Sequence, residues 1–183
     1  MEKRPRLQIL PGYKGQPIRL GSILVTPATT HEPPFPVEAS VLEEDTWRLL
    51  SAPNAAVPQE EHPVRLMTDL VNDRPALPGE VLIQGARWLA IVHDIEQTPT
   101  CREIWVHSAL KRALELTAQR HCRSLALPLL GSVNGCLDWR RSLTLIIETL
   151  NNAVVFEPTL RIWLLVPAAH RKEIRQTLEA AAR

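Results

Sequence analysis

The chain has 183 residues, the size of one domain with or without an elaboration, and it is long enough to bury a hydrophobic core. Hydrophobic residues make up 45% and charged residues 22%, which is the balance of a folded soluble protein. The formal net charge of +1 argues against a general nucleic-acid or membrane-surface binder, because such proteins usually carry a basic excess.

The N-terminal segment lacks an apolar run long enough for a signal peptide, and no stretch approaches membrane-spanning length. The three cysteines, Cys101, Cys122 and Cys136, are odd in number and form no CxxC pair. We therefore predict free thiols in a reducing compartment and a cytoplasmic protein without a membrane partner. The six histidines show no metal-ligand spacing, so we expect no metal site and no cofactor.

The first half of the chain is rich in proline, with twelve of the sixteen prolines before Val81. Proline lacks the N–H that helices and central strands need, so this half is predicted to be loop-rich with short elements. Ile18–Thr26 is predicted to be a strand with a bulge at Gly21. Val37–Leu50 is ambiguous, and Val64–Val71 is compatible with a short helix.

The second half begins with two predicted strands, Glu80–Gln84 and Trp88–Ile95, joined by a tight turn at Gly85. Thr100–Glu103 has the pattern of a capping box, in which a threonine hydroxyl and a glutamate satisfy each other's backbone N–H groups. The helix that follows should bury a stripe at helical spacing, formed by Val106, Ala109, Leu110, Ala113, Leu114 and Thr117.

Ser124–Leu130 and Leu160–Val166 are short apolar runs of the kind that buried strands use. Asp138 is placed to cap a helix that lies between them, and Ala168–Ala182 is predicted to be the last helix. The helix after Asp138 should bury Leu143, Ile146, Ile147 and Leu150, and the last helix Ile174, Leu178 and Ala181. Strands alternating with helices predict a largely parallel sheet with helices packed on both faces.

The candidate binding site is the loop between Ser124–Leu130 and the helix after Asp138. In parallel sheets ligands bind beyond the carboxyl ends of the strands. Glycine lets backbone N–H groups approach a ligand, and a helix N-terminus favours an anion. The residues support two interpretations, a phosphate or diphosphate cradle and an ordinary strand-to-helix loop. The candidate ligand-binding residues are Gly131, Ser132, Val133, Asn134, Gly135 and Cys136.

Other residues near this loop support both a functional and a structural interpretation. His93 and Asp94 have the chemistry of an acid/base pair, but neighbours on a strand point to opposite faces, which favours unrelated roles. The indole of Trp139 or Trp163 can stack on a base, although core packing is the favoured role for both. The pair Arg140-Arg141 fits an anion site and a solvated helix face equally well.

The loop resembles that of macro domains, which has the form P-x-L-G-x-G-x-G-G-L-D-W. The matching residues, without gaps, are Pro128, Leu130, Gly131, Gly135, Leu137, Asp138 and Trp139. The L-D-W ending is typical of a branch related to enzymes that remove ADP-ribose from proteins or DNA. Trp88–His93 is similar to a strand that often ends in I-I-H in the family. The resemblance covers roughly residues 81–167.

The sequence also departs from the macro-domain pattern. Val133 and Cys136 stand where the family usually has glycine, and a β-branched residue tolerates positive φ poorly, which predicts an altered loop. Thr26–Pro34 is interpreted as the first-half loop, and it has no Asn-rich or Gly-rich run and no lysine. Any removal of ADP-ribose from proteins or DNA is therefore expected to be weak or absent, with His31 and Glu32 the remaining candidates for catalysis; the catalytic residues are otherwise unknown.

The resemblance implies a three-layer α/β/α macro-like domain over residues 1–183, with a mixed, largely parallel sheet. Residues 1–80 are the divergent part and residues 81–183 the better-matched part. It also implies binding of ADP-ribose or a related nucleotide diphosphate, free or on an ADP-ribosylated macromolecule, with residues 131–136 around the phosphates. The alternative is a degenerate macro-like scaffold that acts as a protein-interaction module without ligand. ADP-ribosyl hydrolysis is the third hypothesis.

Overall fold

A computed structural model describes residues 15–50, 74–153 and 155–182. These residues form seven strands: β1 (Ile18–Leu20), β2 (Ile23–Ala28), β3 (Ala39–Asp45), β4 (Val81–Gln84), β5 (Arg87–His93), β6 (Ser124–Pro128) and β7 (Leu160–Leu165). They also form three α-helices: α1 (Glu103–Gln119), α2 (Trp139–Asn151) and α3 (Arg171–Ala181). A short 3₁₀ turn, Ala168–His170, precedes α3.

All seven strands belong to one sheet in the order β1-β2-β7-β6-β3-β5-β4. The five inner strands run parallel, and the edge strands β1 and β4 run antiparallel to their neighbours. The predicted mixed, largely parallel sheet is therefore confirmed. Because the inner strands are parallel, their carboxyl ends meet at one edge, which is where the loops to α1, α2 and α3 begin.

The helices contact one another in sequence, α1 with α2 and α2 with α3, and they pack on the sheet. Their buried stripes agree with the predicted periodicity: the six predicted positions of α1 are buried, as are Leu143, Ile146 and Leu150 of α2. Ile147 packs against the same core but is only half-buried, so its predicted burial is met in part. In α3, Ile174 and Leu178 are fully buried, and Ala181 packs partly against the same core.

The predicted capping box at Thr100–Glu103 is wrong. The N-cap residue of α1 is Arg102, and its side chain makes no capping hydrogen bond. Thr100 is instead held beside the end of β5, because its carbonyl accepts the Asp94 N–H at 2.6 Å and the next residue, Cys101, pairs with His93. The local pattern was outweighed by this pairing with the end of β5.

The first half differs from its prediction in two places. Ile18–Thr26 is not one bulged strand but a hairpin, because Gly21 adopts φ +54° and turns β1 back onto β2. The ambiguous segment Val37–Leu50 contains β3, which lies between β6 and β5 inside the sheet. The predicted helix Val64–Val71 lies outside the described residues. Every helix within residues 15–50, 74–153 and 155–182 is too short or too polar to cross a bilayer.

Candidate functional site

The predicted binding loop connects β6 to α2 at the carboxyl edge of the sheet. Gly131 and Gly135 have φ values of +84° and +78°, a region that favours glycine, and they turn the chain at both ends of the loop. The Leu137 N–H donates to the Gly131 carbonyl at 2.7 Å and closes the loop. Val133 keeps its backbone out of the left-handed region, so the loop accommodates this β-branched residue without the conformation that glycine would permit.

The backbone N–H groups of this loop converge on the side chain of Glu43, near the end of β3. One carboxylate oxygen accepts the N–H of Gly131 at 2.5 Å and that of Val133 at 3.2 Å. The other accepts the Asn134 N–H at 3.2 Å and its side-chain amide at 3.0 Å. Residues 131–134 therefore form an anion cradle, with the carboxylate of Glu43 as the anion it holds.

His93, the last residue of β5, completes the surroundings of this carboxylate. Its Nε2 lies 3.2 Å from the same Glu43 oxygen that Asn134 contacts. The two side chains are buried, with exposed fractions of 1% for Glu43 and 9% for His93. Burial strengthens these contacts, because water does not compete with them.

The interpretation of His93 and Asp94 as an acid/base pair finds no support in the geometry. The Asp94 carboxylate accepts the Glu96 N–H at 3.1 Å and the Gln97 side-chain amide at 2.5 Å, which fixes the turn after β5. His93 contacts Glu43 instead. Asp94 lies just beyond the end of β5, so the two side chains have separate partners and unrelated roles.

Glu43 is not among the predicted site residues, because Thr26–Pro34 was interpreted as the first-half part of the site. The contacts of the cradle come from β3, the neighbour of β6 in the sheet. Glu32, offered as a catalytic substitute, is exposed and pairs with Arg171 at 2.8 Å, and His31 is exposed as well. The signal that could have found Glu43 was its place directly after the short apolar pair Val41-Leu42, as the first of three consecutive acidic residues.

The prediction of three free thiols is wrong for two of them. Cys136, the last residue of the candidate loop, forms a disulfide with Cys101, which precedes α1. Their Cα atoms are 5.7 Å apart across a sequence separation of 35 residues. Cys122 remains a free thiol, and burial raises its pKa. The disulfide removes the premise of free thiols on which a reducing compartment was predicted.

The predicted helix cap at Asp138 is confirmed. Its carboxylate accepts the Arg140 N–H at 2.9 Å, and its extended backbone leads into α2. The two arginines that follow pair with carboxylates on the surface: Arg140 with Glu173 at 3.0 Å, and Arg141 with Glu103. These ion pairs favour the solvated-face interpretation of the arginine pair.

The contact between Arg141 and Glu103 shifts both ionisation equilibria. The hydrogen bond from Arg141 lowers the pKa of the Glu103 carboxyl, and the pKa of the Arg141 guanidinium is raised in turn. Both groups face solvent, where such pairs add little to stability.

The two tryptophans near the cradle are half-buried. The ring of Trp139 stacks on that of His170 at 4.7 Å between centroids, and the Arg140 guanidinium lies 4.3 Å from the Trp139 ring centre. The Trp163 indole N–H donates to the Ala28 carbonyl at 3.3 Å. Each indole therefore has partners within the protein, in agreement with the packing role favoured by the sequence analysis.

Several solved structures have the same arrangement of strands and helices as this chain. A mutant of the macrodomain of Oceanobacillus iheyensis superposes with a TM-score of 0.64 over 92% of this chain and 97% of that one, at 15% identity. This chain has the macrodomain fold. The Thermus aquaticus DarG macrodomain agrees at a TM-score of 0.54 and 20% identity, covering 78% of this chain and 98% of that one.

Two further solved structures share the macrodomain fold. The macro domain of ganglioside induced differentiation associated protein 2 superposes at a TM-score of 0.59 and 12% identity, over 86% of this chain and 83% of that one. The alphavirus P23pro-zbd structure gives 0.59 at 14% identity, over 87% of this chain, which spans 24% of that longer protein. No protein-family model and no curated protein sequence matches the chain.

Within this macrodomain fold, the six predicted binding residues lie on one loop but differ in their contacts. Gly131, Val133 and Asn134 donate backbone N–H groups to Glu43. The Ser132 hydroxyl turns back to the Leu129 carbonyl at 2.7 Å. Gly135 shapes the end of the loop, and Cys136 anchors it through the disulfide.

Proposed function

We propose that this protein binds ADP-ribose or a related nucleotide diphosphate, with the phosphates held by residues 131–136. The observation that carries the proposal is that three backbone N–H groups of this loop already converge on one carboxylate. Backbone N–H groups arranged in this way recognise an anion by its charge and its acceptor oxygens, and phosphate oxygens meet both requirements.

The position of the loop also supports a nucleotide diphosphate as the ligand. The loop lies at the carboxyl edge of a parallel sheet and leads into the N-terminus of α2, where helix geometry favours negative charge. Among the solved structures of the same fold, one is of an Oceanobacillus iheyensis macrodomain mutant with ADPR, and another is of the macrodomain from that organism with ADP. A small phosphorylated molecule is therefore the ligand class that we assign to this chain.

Binding requires the carboxylate of Glu43 to leave the cradle, because the same N–H groups cannot serve two anions. A diphosphate brings more negative charge and more acceptor oxygens than one carboxylate, so it can replace the bonds that Glu43 gives up. In the proposed binding event, the phosphates of the ligand thus replace the Glu43 carboxylate in the cradle.

The test is a thermal-shift and calorimetric titration of the wild-type protein with ADP-ribose, ADP, AMP and NAD. A ligand at one hundred times its dissociation constant should add about 2.7 kcal/mol to the free energy of unfolding. We expect ADP-ribose and ADP to stabilise the protein more than AMP, since AMP has a single phosphate. Absence of any shift at millimolar ADP-ribose would contradict the proposal.

Two glycines provide a matched pair for locating the ligand. Gly135 and Gly21 both have positive φ, +78° and +54°, and an added Cβ at either would meet nothing within 4 Å. Substitution by alanine should strain each turn to a similar degree, but only Gly135 shapes the cradle. Gly135→Ala should weaken ADP-ribose binding, and Gly21→Ala should leave it unchanged. Equal losses of ADP-ribose affinity in both variants would mean that the substitutions act through the overall stability of the protein.

One observation favours a second candidate, a macro-like scaffold that acts as a protein-interaction module. Glu43 already satisfies the donors of the cradle, so these N–H groups have a partner within the protein. If neither wild type nor a Glu43 variant bound any nucleotide, this candidate would replace the first. Catalytic removal of ADP-ribose stays a prediction of weak or absent activity, tested by a hydrolysis assay on ADP-ribosylated protein and DNA with an active macrodomain hydrolase as control.

A further inference from the structure

We propose that Glu43 is an internal competitor for the cradle, a residue that keeps the loop closed to anions and sets the affinity with which a phosphate ligand enters. The inference rests on the proposed function only for the identity of the natural ligand. Its physical content is that a tethered carboxylate occupies the anion site.

Both oxygens of the Glu43 carboxylate already have hydrogen-bond partners in the cradle. Its two oxygens receive four N–H donors from the loop, at 2.5, 3.2, 3.2 and 3.0 Å, and face the His93 ring nitrogen at 3.2 Å. A buried carboxylate needs such partners, because an unpaired buried charge is costly. The hydrogen bonds therefore keep the Glu43 side chain in the cradle, and the same bonds occupy the N–H groups that an anion would need.

The backbone of Glu43 is fixed beside the cradle by the pairing of β3 within the sheet. β3 is an inner strand, hydrogen-bonded between β6 and β5, and Glu43 pairs in register with Ala90 of β5. Only rotation of the side chain can empty the cradle. The local concentration of the competing carboxylate therefore stays high, as it does for any group tethered beside its site.

The charge of the Glu43 carboxylate also opposes the binding of a diphosphate in the cradle. A diphosphate bound at Gly131 and Asn134 would lie within a few ångströms of a carboxylate on a fixed strand, and like charges repel strongly where water is excluded. The ligand must therefore work against both the lost hydrogen bonds and the remaining charge.

The consequence is a reduced apparent affinity for every anion that uses the cradle. When the binding-competent state is a fraction of the population, the measured dissociation constant rises by the inverse of that fraction. Neutralising Glu43 should remove this penalty. The effect should appear with a simple diphosphate, which tests the cradle without any nucleoside contact.

The experiment is a calorimetric titration with inorganic pyrophosphate of the wild type, Glu43→Gln and Glu44→Gln. Glu44 is the matched control: it is a neighbouring buried carboxylate that accepts the N–H groups of Asp45 and Leu50. Glu43→Gln should bind pyrophosphate about tenfold tighter than wild type or better, as for a competent fraction of one in ten. Glu44→Gln should bind like wild type.

Glu43→Gln that is folded by circular dichroism but binds pyrophosphate no tighter than wild type would overturn the inference. An equal gain in Glu44→Gln would also overturn it, because the effect would then be one of net charge. Should Glu43→Gln fail to fold, Glu43→Asp keeps the charge and shortens the reach. Its carboxylate meets fewer of the loop donors, so it too should bind tighter than wild type, and unchanged binding would contradict the inference.

ADP-ribose separates this inference from the proposed function. If Glu43→Gln gains affinity for pyrophosphate but neither protein binds ADP-ribose, Glu43 is a competitor and the proposed ligand is wrong. If ADP-ribose binds wild type and Glu43→Gln equally well, the ligand is right and Glu43 does not compete.

Discussion

The carboxylate of Glu43 and the backbone N–H of Gly131 meet at 2.5 Å, although 88 residues separate them in the sequence. This contact joins β3 to the loop after β6, and it puts an acidic side chain in the place where the loop can hold an anion. The binding hypothesis, the competitor hypothesis and the choice of test variants all depend on it.

Burial of α2 against the sheet predicts a difference between two neighbouring isoleucines. Ile146 is fully buried and Ile147 half-buried, so truncation at the first leaves a cavity and truncation at the second mostly exposes a rim. Ile146→Ala should lower the free energy of unfolding by about 2–5 kcal/mol, and Ile147→Ala by clearly less. Urea denaturation of both variants tests this, and a larger loss at Ile147 would mean that α2 presents another face to the sheet.

The cap at Asp138 should contribute measurably to stability. Asp138→Ala removes the acceptor for the Arg140 N–H and should cost about 1 kcal/mol. Asp138→Asn keeps a good N-cap residue and should cost much less, which makes it the control. Chemical denaturation compares the three proteins. Similar losses in both variants would mean that charge near the helix N-terminus, rather than the capping bond, is what stabilises α2.

The disulfide predicts both a thiol count and a stability change. Denatured without reductant, the protein should show one reactive thiol, Cys122, and three after reduction. Reduction, or Cys136→Ser, should lower the free energy of unfolding by about 2–4 kcal/mol, since the bridge restricts the unfolded chain. Cys122→Ser is the control and should keep the dependence on reductant. Three reactive thiols in the unreduced protein would contradict the bridge.

Gly131 is unsuited as a binding-only test site, although its backbone contacts the anion. An added Cβ would lie 2.9 Å from the Val106 side chain and 3.0 Å from that of Leu137, at a φ of +84°. Gly131→Ala should therefore destabilise the fold by about 1–3 kcal/mol, through overpacking and backbone strain. Gly135→Ala adds strain without a clash and should cost less. Thermal denaturation of the pair tests this order; equal stability would mean that the loop is looser than the contacts indicate.

How far the sequence predicted the molecule depends on the range of the interactions involved. The stripe on α1 and the cap at Asp138 come from contacts within a few residues, where helical spacing and cap chemistry are readable. The loop at residues 131–136 could also be predicted locally, because its glycines lie between an apolar strand pattern and a helix cap. In the second half, the spacing of the apolar residues was enough to predict where each strand and helix lies in the sequence.

The missed features involve residues far apart in the chain. The partner of Gly131 lies on β3, and neither strand pairing across the sheet nor the reach of one glutamate is visible in a linear pattern. The bridge between Cys101 and Cys136 closes a long loop that an odd cysteine count does not reveal. The residues at Thr100 match a capping pattern, but their pairing with the end of β5 determines the backbone conformation there.

The measurement that tests the central claim most directly is an NMR titration of ¹⁵N-labelled protein with ADP-ribose, following the amide signals of Gly131, Val133 and Asn134. These three N–H groups should change partner from the Glu43 carboxylate to the phosphates. We predict saturable shifts of all three at a single dissociation constant, with the amide of Gly21 on the β1–β2 turn unmoved. Saturable binding that leaves the three cradle amides unshifted, or no binding at all, would contradict the claim that this loop holds a nucleotide diphosphate.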